Sequence, residues 1–135
     1  FCYGIFLNHK EYYDLAYKTL STLIEETRGE TSDERTGYFI VSSVALRGLG
    51  NNYEADRHFE NACLSIPMLK NIFNMGLYSG IAASLLRIWE RYEEAQEWEE
   101  FLNRMSFPEK TIELFRERGR RMLERSMSLN RVFLF

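Results

Sequence analysis

This 135-residue chain has little of what many specialised folds are built from. Its two cysteines, Cys2 and Cys63, cannot form the framework of a small disulfide-stapled protein. Its two histidines, His9 and His58, share no metal-ligand spacing with those cysteines, so no metal site is expected. Two prolines and eight glycines are few interruptions for the length, which favours long helices over many short strands. The longest weakly polar run, Met75 to Leu86, stops short of the roughly 18 residues that would suggest a membrane span. No secretory signal pattern opens the chain, so the expected setting is a reducing, cytoplasmic one. Serines occur without a Gly-x-Ser-x-Gly turn, and no glycine-rich loop could cradle a phosphate. An enzyme is therefore not expected, nor a cofactor.

What is present is apolar and aromatic. Hydrophobic residues make up 45% and aromatics 15%, enough for the single core of one domain. The net charge of −3 is unevenly spread. Residues 1–103 hold nine Lys/Arg against sixteen Asp/Glu, whereas residues 104–135 hold eight against four. Glu117 with Arg121 and Arg120 with Glu124 stand four apart on the basic segment, where they can pair locally. A solvated helix is the better reading of Arg116, Arg118, Arg120, Arg121 and Arg125, and nucleic acid is a disfavoured partner.

Helical periodicity runs nearly throughout. Tyr13, Ala16, Tyr17, Leu20, Leu23 and Ile24 share one helix face. Further helices are expected at Phe39–Leu49, at Ala55–Ile66, at Leu69–Glu90 and along Ala95, Trp98, Phe101, Leu102 and Met105. A last helix should open with Ser106 as N-cap, Pro108 in the first turn and Glu109 three residues after the cap. Its apolar stripe would be Ile112, Phe115, Gly119, Met122 and Leu123. Breaks fall at Arg28–Asp33, at Gly50-Asn51-Asn52 and at Pro67. Alternating short and long connections pair the helices into antiparallel hairpins.

The chain also repeats itself at a spacing of 39 and then 40 residues. Gly4, Ser43 and Ala83 align, followed by Leu7, Leu46 and Leu86, and then by Ala16, Ala55 and Ala95. Leu20 with Phe59, and Leu23 with Ala62 and Leu102, continue the series. Small residues recur because two helices of a hairpin approach closest where small side chains face each other. The pattern resembles the tetratricopeptide repeat (TPR) family. Its first helix pairs a small residue with a large one three places on, and its second opens with a run like Tyr92-Glu93-Glu94-Ala95. Tyr13-Asp14-Leu15-Ala16 and Tyr53-Glu54-Ala55 are weaker forms of that run. The units are longer than the family's usual period, and Glu99 stands where an aromatic is expected, with Trp98 beside it.

The resemblance implies an all-α fold: a right-handed α-α superhelix, or TPR-like solenoid, of three helical hairpins plus a C-terminal helix. The units are repeats at about 1–28, 33–67 and 69–107, a terminal helix at 108–127 and a tail at 128–135. All would form one domain of a longer chain, since Gly4 stands too near the start for a complete first helix. The implied function is a protein- or peptide-binding scaffold using a concave groove, such as the ligand-sensing part of a regulator. Groove candidates are Asn8, Arg47 and Arg87 at one repeat offset, with Val44, Ile40, Ser84, Tyr78 and Ile88 around them. A guanidinium offers a planar fork of donors to a carboxylate, phosphate or carbonyl, and Asn8 offers both donor and acceptor to a backbone. The bland reading is that both arginines pair within their own repeats, Arg87 with Glu90 for instance. Tyr38, Tyr78, Trp89 and Tyr92 are candidate aromatic anchors. The carboxylate-clamp pattern of chaperone-binding members is not reproduced. Cys63 reads as core, His58 as a partly buried helix-face residue, and Glu93, Glu94, Glu97, Glu99 and Glu100 as a solvated acidic face. A rival reading makes the module an oligomerisation or assembly unit. It would associate with copies of itself through Phe1, Cys2 and Ile5 at one end and Val132-Phe133-Leu134-Phe135 at the other.

Overall fold

A computed structural model describes the backbone of residues 9–29 and 33–133, and the side chains of residues 13–29 and 33–121. Every regular element among these residues is helical. The order is α1 (His9–Glu26), α2 (Asp33–Gly48), α3 (Asn52–Ser65), a 3-10 turn (Ile66–Met68), α4 (Ile72–Ile88), α5 (Tyr92–Arg104) and α6 (Glu109–Phe133). The first helix of the first expected hairpin falls on residues 1–8, outside the described residues. No helix among the described residues is long and apolar enough to cross a membrane. The chain divides into two compact units, one built on α1–α3 and the other on residues Leu69–Met127.

In the first unit α1 packs on α2, and α2 on α3. Tyr13 of α1 is buried and lies against Gly48 of α2, where even a Cβ would collide with its ring. The end of α1 is held by α2. Arg35 donates from Nη1 to the Ile24 carbonyl at 2.6 Å and to Thr27 Oγ1 at 3.1 Å, while its guanidinium lies 4.9 Å over the Phe39 ring. One arginine thereby satisfies a carbonyl that the ending helix leaves open. The inner face of α2–α3 is Ile40, Ala45, Leu46, Ala55, Phe59, Ala62 and Ile66, all buried. Each large side chain removed from water in this way contributes roughly 1.5–3 kcal/mol before conformational entropy is subtracted. Pro67 sits in the 3-10 turn that ends α3, where its ring cannot obstruct a continuing helix.

The second unit packs α5 and α6 against α4. Gly76 and Gly80 of α4 lie under Phe115 of α6, and Gly119 of α6 lies over Ser84 and Ile81 of α4. A Cβ at Gly76 would stand 2.6 Å from the Phe115 ring and 2.7 Å from that of Phe107. Glycine is needed there for close approach, which lets Phe115 be completely buried beside Leu102 and Ile112. Phe73 and Phe107 meet Phe115 edge-on, with centroids 5.1 and 5.2 Å away.

The two units build their hairpins the same way. At the end of α2, Gly50 N–H bonds to the Arg47 carbonyl and Asn51 N–H to the Leu46 carbonyl. At the end of α4, forty positions on, Glu90 N–H bonds to Arg87 and Arg91 N–H to Leu86. Both are Schellman closures with a left-handed residue at the turn, Gly50 at φ 81° and Glu90 at φ 61°. Asn51 then caps α3, its side chain accepting from Glu54 N–H at 3.3 Å. Arg91, in the matching place, makes no side-chain cap. It instead pairs with Glu94 through two hydrogen bonds of 2.8 and 2.7 Å.

One helix start differs from the expectation. Ser106 is not the N-cap of α6: it adopts φ 60° and its N–H bonds back to Asn103, so it closes α5. The first carbonyl of α6 to accept is that of Pro108, from Ile112 N–H at 3.1 Å. Only Met105, Ser106, Phe107 and Pro108 stand between the two helices, and the left-handed turn that closes α5 claims Ser106. No glycine or proline follows Gly119, and α6 continues past the expected boundary at 127 to Phe133.

Candidate functional site

The structure places the proposed groove residues unequally. Asn8 lies outside the described residues. Arg47, near the end of α2, is ion-paired with Asp56 of α3. Arg87, at the same place in α4, lies 3.2 Å from Glu99 Oε1 of α5. Each arginine thus pairs across its own hairpin, and the partner of Arg87 is Glu99 rather than Glu90. The two differ in access: the Arg47 side chain is 20% exposed and that of Arg87 52%. Val44 and Tyr78 are half-buried. Ile88 is exposed, next to Arg87. Ile40 belongs to the core rather than to a groove. Ser84 is covered by α6 at Gly119, and its hydroxyl donates to the Gly80 carbonyl at 3.0 Å. The last helix thus packs on the face of α4 where Ser84 was expected to meet a ligand. Of the candidate aromatic anchors, Tyr92 is exposed while Tyr38 and Trp89 are half-buried.

Glu99 is the main correction to the sequence reading. Glu93, Glu94, Glu97 and Glu100 are exposed, but Glu99 is 5% exposed and faces inward. It occupies the repeat position that Phe59 fills in the α2–α3 hairpin, so the helix face buries it whatever its polarity. Two arginines make that burial tolerable. Arg116 of α6 donates to Glu99 Oε2 from Nη2 at 2.7 Å and from Nε at 3.1 Å, and Arg87 stands on the other oxygen. The hydrogen bond to Glu99 is the largest cause holding the Arg116 pKa above its usual value, against some loss of hydration. Glu99 therefore joins α4, α5 and α6 through a single carboxylate. The sequence held one sign of this, an acid at the repeat's aromatic position. Its second arginine, on a different helix, had no sequence signal.

Arg87 differs from Arg116 in its bonding. Arg116 grips one oxygen with two aligned donors, while Arg87 makes only a 3.2 Å ionic contact and is half open to solvent. Its planar fork can still receive an outside acceptor without first giving up a hydrogen bond.

In the first unit His58 of α3 sits between aromatic residues of the other two helices. Tyr17 and Phe39 meet it edge-on at 6.1 and 5.5 Å, and its Nδ1 lies 3.1 Å from the buried Ser42 hydroxyl. Burial pulls its pKa below the ordinary 6.5, with Glu54 opposing and Arg57 adding to the shift. Cys63 is half-buried and is not in a disulfide. Among the described residues no group of three His, Cys, Asp or Glu side chains is placed to hold a metal ion. A shallow opening of about 490 Å³ at the α4–α5 turn is lined by Glu90, Arg91, Tyr92, Glu93 and Glu94, consecutive residues of the turn itself. The side chains proposed for self-assembly, Phe1, Cys2, Ile5 and Val132–Phe135, lie outside the described residues. Comparison of this sequence with protein-family models, curated proteins and solved structures gave no match.

Proposed function

We propose that this chain is a protein- or peptide-binding module made of TPR-like helical hairpins stacked as a right-handed superhelix. The ligand would lie on the first helix of a hairpin, the place that α4 holds in its own unit. The observation that carries the reading is the doubled hairpin. Ser43 and Ala83, Leu46 and Leu86, and Ala55 and Ala95 are buried at matching places, and both turns close with the same pair of backbone bonds. Hairpins repeated at a fixed period bury their faces against neighbours and leave one helix row to meet partners. Within that row Arg87 is the better ligand contact. Its guanidinium is half exposed and would suit a carboxylate of the ligand. Arg47 would contribute less, being more enclosed and paired with Asp56.

The test is affinity capture followed by mass spectrometry, with wild type run beside Arg87→Gln and the Arg47→Gln/Arg87→Gln double variant. Glutamine keeps most of the stem and avoids setting a second carboxylate against Glu99 or Asp56. A partner held by wild type and lost by variants with unchanged circular dichroism supports the assignment. Equal capture by all three removes Arg47 and Arg87 from the binding site.

A further inference from the structure

The proposed ligand contacts make no use of His58, yet its imidazole meets side chains of both α1 and α2. It is carried by α3, meets Tyr17 of α1, and meets Phe39 and Ser42 of α2. The geometry points to a pH-sensitive latch in which neutral His58 seats α1 against the α2–α3 hairpin, and its protonation on mild acidification loosens α1.

The surroundings favour the neutral ring. From α1 the facing group is the Tyr17 ring. From α2 come the Ser42 hydroxyl and, behind Phe39, the positive Arg35. On α3 the nearby charges are Glu54 and Arg57, and these pair with each other at 3.2 Å. Glu54 is therefore largely answered, and among the described residues it is the only carboxylate that acts on the ring. Burial, the largest influence on His58, acts in the same direction. At Nδ1 the neutral ring can accept from or donate to the Ser42 hydroxyl 3.1 Å away, according to its tautomer, whereas the charged ring can only donate there. His58 is half-buried, so fuller hydration of the new charge favours opening the Tyr17–His58–Phe39 contact, which includes the link from α1 to α3. Histidine is the side chain whose ordinary pKa brings this change near physiological pH.

The experiment has two parts. Titrating the histidine ring resonances of the whole protein by NMR, assigned with His9→Gln, gives the His58 pKa directly. Amide hydrogen exchange, corrected for the intrinsic effect of pH, then follows protection in residues 13–26 at about pH 7.5 and about pH 5. The latch requires His58 to titrate below 6.5, α1 protection to be lost at the lower pH in wild type, and that loss to be reduced in His58→Gln. His58→Phe, which keeps a ring in the space, serves if glutamine does not fold. The idea is overturned by a His58 pKa at or above 6.5, the outcome if the aromatic rings stabilise the cation. Unchanged α1 protection, or the same loss in the variant, overturns it as well. If neither variant folds, the wild-type titration and exchange together decide the matter: a His58 pKa below 6.5 must be matched by loss of α1 protection over the same pH range.

Discussion

Two side chains, Glu99 and His58, place polar chemistry in partly or fully buried surroundings. Glu99 is buried but bonded, so the cost of removing it is chiefly that of leaving Arg116 without its acceptor. Glu99→Ala should destabilise the protein by about 1–3 kcal/mol in urea unfolding. Arg87→Gln should cost less than about 1 kcal/mol, because Arg87 is half exposed and leaves Glu99 its two bonds from Arg116. A loss as large from Arg87→Gln as from Glu99→Ala would mean that Arg87 is a structural member of the bridge. That would weaken its role as a ligand contact. His58 sets a pH dependence of definite sign. Its folded pKa lies below 6.5, so the unfolded chain binds the proton more readily and acid favours unfolding. The stabilising contribution is complete above about pH 6.5 and falls through the window between that value and the folded pKa. Thermal melts from about pH 7.5 down to about pH 5 should show a falling Tm that is flatter in His58→Phe.

Helices and turns add predictions that rest on backbone shape. Gly50 and Glu90 occupy equivalent closing positions with positive φ, but only one of them is glycine. Glu90→Gly should stabilise the protein by roughly 0.5–1 kcal/mol, since the left-handed conformation costs a side-chain-bearing residue about that much. Gly50→Ala should lose a similar amount although open space surrounds it, because the strain is conformational rather than steric. Gly76→Ala has the opposite cause. Its Cβ would enter the Phe115 and Phe107 rings, and the enclosed Phe115 has nowhere to go. A loss of about 1–3 kcal/mol in chemical unfolding is expected. The Ser106 misreading belongs at this scale too. Ser-x-Pro-Glu is a sound helix-start pattern, but the preceding helix needed a left-handed residue and took the serine first.

Across the whole molecule, the basic C-terminal segment is less free than its composition suggests. Arg116 is bound to Glu99, while Arg120 and Arg121 reach Glu117, whose pKa is lowered chiefly by the hydrogen bond from Arg120. Mobility-shift assays with DNA and RNA at low salt should accordingly show no binding, and a complex with steep salt dependence would reverse that expectation. The sequence by itself determined helix and turn, because these follow from local rules. Apolar spacing near 3.6 chose the buried faces, including Leu46, Leu86, Ala55 and Ala95, and Gly50 and Pro67 marked ends. Tertiary structure alone decided which polar groups meet. Glu99 read as part of an exposed acidic face until α6 brought Arg116 to it, and Ser84 read as a groove residue until Gly119 closed over it. His58 gained its surroundings only when α1 and α2 delivered Tyr17, Phe39 and Ser42. The physical reason is that periodicity states which side of a helix is buried, while the partner waiting on that side comes from a distant stretch of chain.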